Sequence, residues 1–213
     1  MERRSFSVSL PKNPLITMKV IPGHFTTSHS HLNYYLDLSD LKTNAKMAMD
    51  VARELVVPYI TTTLLDAIVC IEGTEVIGAF MAEELIKEGT SIINSNREIH
   101  VVTPLNNINR KLMFQGNIQE LIYNKNVLLL VPSISTGATI SSILECMSYY
   151  GGKLAGVSAL FHAHPEKLDQ EVHALFTYED IPGYEIYNPR DCVLCKDGLK
   201  LDAIIIHDGY TKI

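Results

Sequence analysis

The residues best suited to chemistry in this 213-residue chain are Pro132-Ser133-Ile134-Ser135-Thr136-Gly137-Ala138-Thr139, which follow the aliphatic run Val127-Leu128-Leu129-Leu130-Val131. Ser135, Thr136, Gly137, Ala138 and Thr139 place three hydroxyls and a glycine in five positions, a composition suited to an anion, above all a phosphate. Glycine lets the backbone approach the anion, and the hydroxyls add donors to the backbone N–H groups. If the aliphatic run is a strand and a helix follows, the segment lies at a strand's carboxyl end. The helix would then present unpaired N–H groups and its positive dipole end there. A turn capped by Ser, Thr and Gly with no ligand has the same composition, and composition alone leaves both readings open.

A second cluster is Cys192-Val193-Leu194-Cys195-Lys196-Asp197-Gly198, with the two-residue spacing and trailing glycine of a zinc knuckle. Tetrahedral zinc needs four ligands, and no second Cys pair has this spacing. His207, or His162 with His164, or a second subunit would have to complete the set around Cys192 and Cys195. A reduced structural pair and a redox dithiol are the alternatives. His29 and His31, like His162 and His164, have the i, i+2 spacing that puts two rings on one strand face, a spacing ordinary surface histidines also show.

Alternating periods define the elements that must position these groups. From about Leu41 onward, helical and strand-like apolar patterns take turns, as in a parallel sheet linked by helices. Ala45, Ala48, Val51, Ala52, Leu55 and Val56 predict a helix over 44–57 that ends at Pro58. A strand over 66–71 is followed by Thr74, which can cap a helix carrying Val76, Ile77, Phe80, Met81 and Leu85 and stopping at Gly89. Another strand is expected over 98–103, and residues 106–116 show no decisive period. The run 127–131 reads as a central strand covered on both faces and ending at Pro132. A helix over 139–150 closed by Gly151-Gly152 and a buried strand over 154–161 follow, with short strand-like pieces at 174–178 and 203–207.

Composition narrows the function classes. Hydrophobic residues make up 46% and charged residues 20%, the balance of a globular chain with a sizeable core. The formal net charge is -6, from 18 Lys plus Arg against 24 Asp plus Glu, with no basic run longer than two residues. Nucleic acid is therefore not an expected partner, because backbone phosphates need a concentrated basic surface. No window approaches the roughly 18 apolar residues of a membrane span, and the first sixteen residues lack a signal's apolar stretch. A cytoplasmic location without a membrane partner is the expectation, with Cys70 and Cys146 as small buried apolar residues.

The aliphatic run followed by Ser135-Thr136-Gly137-Ala138-Thr139 and by Gly151-Gly152 resembles the phosphoribosyl-pyrophosphate (PRPP) motif of type I phosphoribosyltransferases. His24-Phe25-Thr26-Thr27-Ser28 and Tyr34-Tyr35-Leu36-Asp37 are similar to the N-terminal hood of the orotate enzymes in that family. Asp66-Ala67-Ile68-Val69 with Glu72-Gly73-Thr74 is similar to their pyrophosphate loop. The resemblance implies an α/β fold: a mostly parallel twisted sheet with flanking helices, an N-terminal hood and an irregular C-terminal tail. As one domain over 1–213, the chain would have a hood at 1–40, an α/β core at 41–170 and an extension at 171–213.

It further implies transfer of a phosphoribosyl group from PRPP to a nitrogenous base, with Mg2+, in a homodimer. In that scheme Ser135 to Thr139 hold the 5-phosphate and Glu72, Gly73 and Thr74 face the pyrophosphate, which Arg110 and Lys111 neutralise as it leaves. Phe25 and Thr26 would face the base, joined in the hood by His24, His29 and His31, while Tyr34 and Tyr35 stack on it or pack the core. The sequence departs from the family where two acidic residues normally follow the strand. Pro132-Ser133 stands there and leaves Ser133 as a neutral ribose partner. An orotate enzyme is also expected to carry an arginine where Ala163 lies between His162 and His164. A PRPP- or nucleotide-binding regulatory module with impaired catalysis is the alternative that these departures raise.

Overall fold

The computed structural model describes the chain except residues 91, 107–111, 136, 164–170 and 207–208 and the side chains of 106, 138 and 139. In chain order the strands and helices begin with β1 (Phe6–Leu10), β2 (Asn13–Thr26), β3 (His31–Asp37), α1 (Ser39–Thr43), α2 (Ala45–Val56) and β4 (Ala67–Cys70). Next come α3 (Glu75–Ile86), β5 (His100–Val102), β6 (Leu105–Asn106), β7 (Leu112–Met113), α4 (Gly116–Gln119), β8 (Asn126–Ile134) and α5 (Ala138–Tyr149). The chain closes with β9 (Lys153–His162), β10 (His173–Thr177), β11 (Ile186–Tyr187), α6 (Val193–Lys196), β12 (Ala203–Ile206) and β13 (Gly209–Lys212). Among the described residues no helix is long and apolar enough to cross a membrane. Contacts divide the chain into two compact units, 42–177 and a second built from 1–41 with 178–213.

The larger unit is α/β, and its sheet takes β10 from the segment expected in the C-terminal extension. Its main sheet has five described strands, all parallel, in the order β10-β9-β8-β4-β5. Ranked by sequence this is the 2-1-3-4-5 order of doubly wound sheets, whose direction of winding reverses between its first and third strands, here β4 and β8. The central strand β8 is buried on both faces because Val127 to Val131 are all aliphatic. Val127, Leu129 and Val131 pack with Ile140, Ile143 and Met147 of α5. On the opposite face, Ile68 and Cys70 of β4 approach α3 so closely that a Cβ on Gly78 would sit 2.4 Å from the Cys70 sulfur. Burial pushes the Cys70 thiol up to about 12, as expected for a cysteine used as a small apolar residue.

Three local differences from the sequence expectations have physical causes. β8 continues through Pro132 to Ile134, with Ser133 opposite Phe161 and Ile134 opposite His162. β4 stops pairing at Leu130, so the N–H that Pro132 lacks is not needed on that side. Thr74 does not cap α3 through its side chain. Its buried hydroxyl accepts from the Ile71 N–H at 3.1 Å and lies 3.0 and 3.2 Å from the Ile71 and Leu130 carbonyls. The undecided stretch 106–116 contributes a short antiparallel pair, β6 with β7.

The second unit places the chain's two ends in one sheet of order β11-β3-β2-β12-β13, with β1 on β2. The tail beyond residue 177, which has no clear period of its own, gains its order from these pairings. β12 runs parallel to β2 with Ala203 opposite Phe25, and β11 is antiparallel to β3. Its aromatic core includes the Phe25–Tyr35 and Tyr35–Tyr210 contacts and the stacked Tyr34–Tyr184 pair.

Candidate functional site

In the larger unit, the loops after β4 and β8 leave the carboxyl ends of adjacent parallel strands, on either side of the point where the winding reverses. Open α/β sheets bind ligands at this position. The Ile71 N–H donates to the Leu130 carbonyl at 3.0 Å, and the Thr74 hydroxyl bridges the same two residues, so the loop after β4 is pinned to β8 where the pairing of the two strands ends. Glu72 and Gly73 both have positive φ, 51° and 80°. For Glu72 this is an uncommon conformation, and the Lys42 Nζ donates to its carbonyl at 2.9 Å. Thr74 itself is fully buried, so its side chain organises the loop after β4 from beneath.

Across the junction, Ser133 and Ser135 are exposed and Gly137 is the N-cap of α5, with φ 79° and ψ -9°. The Gly137 carbonyl accepts from the Ser141 N–H at 3.0 Å and from its hydroxyl at 3.2 Å, which starts the helix squarely at this residue. A glycine cap has no side chain with which to satisfy the first-turn N–H groups. Where such donors meet an external acceptor, an anion is the one the dipole favours. Ala138 and Thr139 open α5. Thr136, Arg110 and Lys111 lie outside the described residues, as do His164 and His207.

The expected base contacts fall in the smaller unit. Phe25 has no exposed surface and packs 6.0 Å from Tyr35, so its ring offers no face to a ligand. The Thr26 hydroxyl donates to the Thr27 carbonyl at 3.0 Å. Tyr35 is core, and Tyr34 packs on Tyr184 while its hydroxyl donates to the Pro182 carbonyl.

The smaller unit also brings together a set that the sequence reading distributed differently. His24, His31, Cys192 and Cys195 converge, with one ligand atom of each within 4.8 Å of all the others. His162 belongs to the other unit, at the end of β9. The hairpin explains the two histidines. An ST turn, in which the Thr27 hydroxyl accepts from the Ser30 N–H at 2.9 Å, sets His31 opposite Thr26. His24, two residues before Thr26, is then the diagonal same-face neighbour of His31. His29 instead lies exposed in the turn. Burial first, and His24 second, hold the His31 imidazole below its ordinary pKa, which favours the neutral ring. Local desolvation, followed by the neighbouring Cys192, raises the Cys195 thiol. The histidines are seven positions apart and lie 161 to 171 positions from the cysteines, so it is the pairing of the tail with the hairpin, β11 on β3 and β12 on β2, that reveals the set.

No family model matches the chain. Over 183 residues it is 24% identical to an orotate phosphoribosyltransferase of Thermoanaerobacter sp. (strain X514), a match covering 84% of this chain and 86% of that relative. Over 197 residues it is 25% identical to an orotate phosphoribosyltransferase of Chlorobaculum parvum, covering 86% and 88%. Among solved structures, Leishmania donovani UMP synthase superposes with a TM-score of 0.56 at 18% identity, over 76% of this chain and 34% of that one. The chain is thus similar in sequence to orotate phosphoribosyltransferases and has a type I phosphoribosyltransferase-like fold.

Proposed function

We propose that the chain transfers a 5-phosphoribosyl group from PRPP to a nitrogenous base of the orotate-like group. The observation that carries this reading is the glycine-capped start of α5 beside β4, where the sheet's winding reverses. The first-turn N–H groups of α5 and the hydroxyls of Ser135, Thr136 and Thr139 receive the 5-phosphate, and Ser133 meets the ribose. Glu72 and Gly73 offer backbone donors to the pyrophosphate, in the loop that Thr74 pins to β8. Arg110 and Lys111 neutralise the leaving group. A ring nitrogen of the base bonds to the anomeric carbon as the bond from that carbon to the pyrophosphate oxygen breaks. The electron pair departs with pyrophosphate, and the base loses its N–H proton. Because the transition state has oxocarbenium character, the protein accelerates the step by positioning and by fixed dipoles.

The donor set does not suit a protein-held Mg2+. This hard dication takes carboxylate oxygens, and the strand end offers Pro132 and the neutral Ser133. Ala163 has no ionisable side chain, so that position supplies no cation for an acceptor's carboxylate. In the proposed setting the chain is a cytoplasmic homodimer whose partners are small phosphorylated sugars or nucleotides.

The test is pyrophosphate release from PRPP with orotate, uracil, adenine, guanine and hypoxanthine in turn, beside calorimetric titration of PRPP and nucleoside monophosphates. Release with one base supports transfer. Binding with no release from any base would instead identify a regulatory module, and no binding at all would refute both readings.

A further inference from the structure

We infer that His24, His31, Cys192 and Cys195 form a closed structural Zn2+ site that fastens residues 192–199 to the β2–β3 hairpin. The first ground is distance. Ideal tetrahedral zinc, with Zn–S near 2.3 Å and Zn–N near 2.0–2.1 Å, puts N···N at about 3.3 Å and S···N at about 3.6 Å. The structure has His24 Nε2 3.0 Å from His31 Nδ1. The Cys192 sulfur is 3.6 Å from His24 Nε2, and the Cys195 sulfur is 3.7 Å from His24 Nε2 and 3.3 Å from His31 Nδ1. Each of these separations lies within about 0.3 Å of the edge of such a tetrahedron.

Ligand orientation is the second ground. His24 Nδ1 lies 2.8 Å from the Leu199 carbonyl, an acceptor only, so Nδ1 carries the proton and Nε2 turns its lone pair toward the cluster. Metal-binding histidines are fixed in this way by a partner behind the ring. The Leu199 backbone is itself set by the knuckle. The Leu199 N–H donates to the Leu194 carbonyl at 3.0 Å and the Gly198 N–H to the Cys195 carbonyl at 3.1 Å, with Gly198 at φ 73°. Farther back, the Asp202 carboxylate accepts from the His24 N–H at 3.0 Å and the Asp202 N–H donates to the His24 carbonyl at 2.8 Å. The hairpin and the tail are thus already in register for the ion.

Chemistry selects the metal. Two thiolates and two imidazoles in a compact tetrahedron match zinc, and four protein ligands leave no open position for water, the mark of a structural site. His24 and Cys192 are buried while Cys195 is exposed, which leaves one side for the ion to enter. All four residues belong to the unit built from the two chain ends, so metal binding there contributes directly to that unit's folding.

Chain purified from zinc-supplemented culture is expected to hold one zinc per chain by elemental analysis. Replacing zinc by Co2+ should give the intense visible bands of a tetrahedral site and a thiolate charge-transfer band. Cys195→Ser and His31→Ala should each weaken Co2+ binding at least about 100-fold, whereas His29→Ala, at the exposed neighbour, should bind as the unaltered chain does. The wild-type cobalt spectrum needs no variant to fold and stands by itself. A metal-free chain without a tetrahedral cobalt spectrum would overturn the assignment. So would a spectrum insensitive to Cys195→Ser, or a Cys192–Cys195 disulfide in freshly purified protein. None of these readouts depends on phosphoribosyl transfer.

Discussion

Replacing Gly137 by alanine tests the phosphate cradle through a single methyl group. Gly137 caps α5 at φ 79°, in the left-handed region that costs an L-residue about 1–2 kcal/mol. The variant either keeps that strain or relieves it by rotating the peptide that aims the first-turn N–H groups. Loss of about 1–2 kcal/mol of anion binding corresponds to roughly 5- to 30-fold weaker PRPP affinity. Gly89→Ala is a matched control, since Gly89 has φ 80°, follows α3, and a Cβ there meets nothing within 4 Å. Calorimetric titration of PRPP alongside urea unfolding separates the effects. Both variants should lose about 1 kcal/mol or more of stability, and only Gly137→Ala should lose PRPP affinity. Equal PRPP affinities in the two variants would refute the reasoning.

Further expectations concern the sheet beneath the site. Tyr59→Phe removes a buried hydroxyl that donates to the Val157 carbonyl at 3.1 Å or pairs with Ser158 Oγ at 2.9 Å. It should cost about 1–2 kcal/mol in urea unfolding, and an unchanged midpoint would contradict this. Gly78→Ala drives a methyl to 2.4 Å from the Cys70 sulfur and should lower stability by about 1–3 kcal/mol in thermal melts. Asp66 is raised by partial burial, but the Asn126 N–H and the Arg97 guanidinium outweigh that and hold its carboxyl below the usual range. The unfolded chain therefore binds the proton more readily. The stabilisation is complete above the unfolded value of about 3.9 and is lost as pH falls through the folded one. Asp66→Asn should flatten that acid limb, read as denaturant midpoint against pH.

Much of the core was legible because its strands are continuous aliphatic runs with no competing reading. Val127 to Val131 could only be a strand covered on both faces, and the helix α2 matched its period and is capped by Asn44, whose side chain accepts from the Lys46 and Met47 N–H groups. Pro132 read as a strand end because the sequence cannot reveal that the neighbouring strand has already stopped. Thr74 read as a cap because its preference for that position is local, whereas its hydroxyl is used across the sheet by Leu130. The order of the tail and the two histidines that join Cys192 and Cys195 stayed hidden for the same reason. Both come from pairing between the two ends of the chain, and no short window contains both partners.

The most direct measurement is a crystal structure of the chain with PRPP. The 5-phosphate should sit against the backbone N–H groups that open α5, next to Ser135 and Gly137, with the pyrophosphate toward Glu72 and Gly73. PRPP bound at another place with the α5 start in contact only with solvent, or no PRPP bound at saturating concentration, would contradict the account.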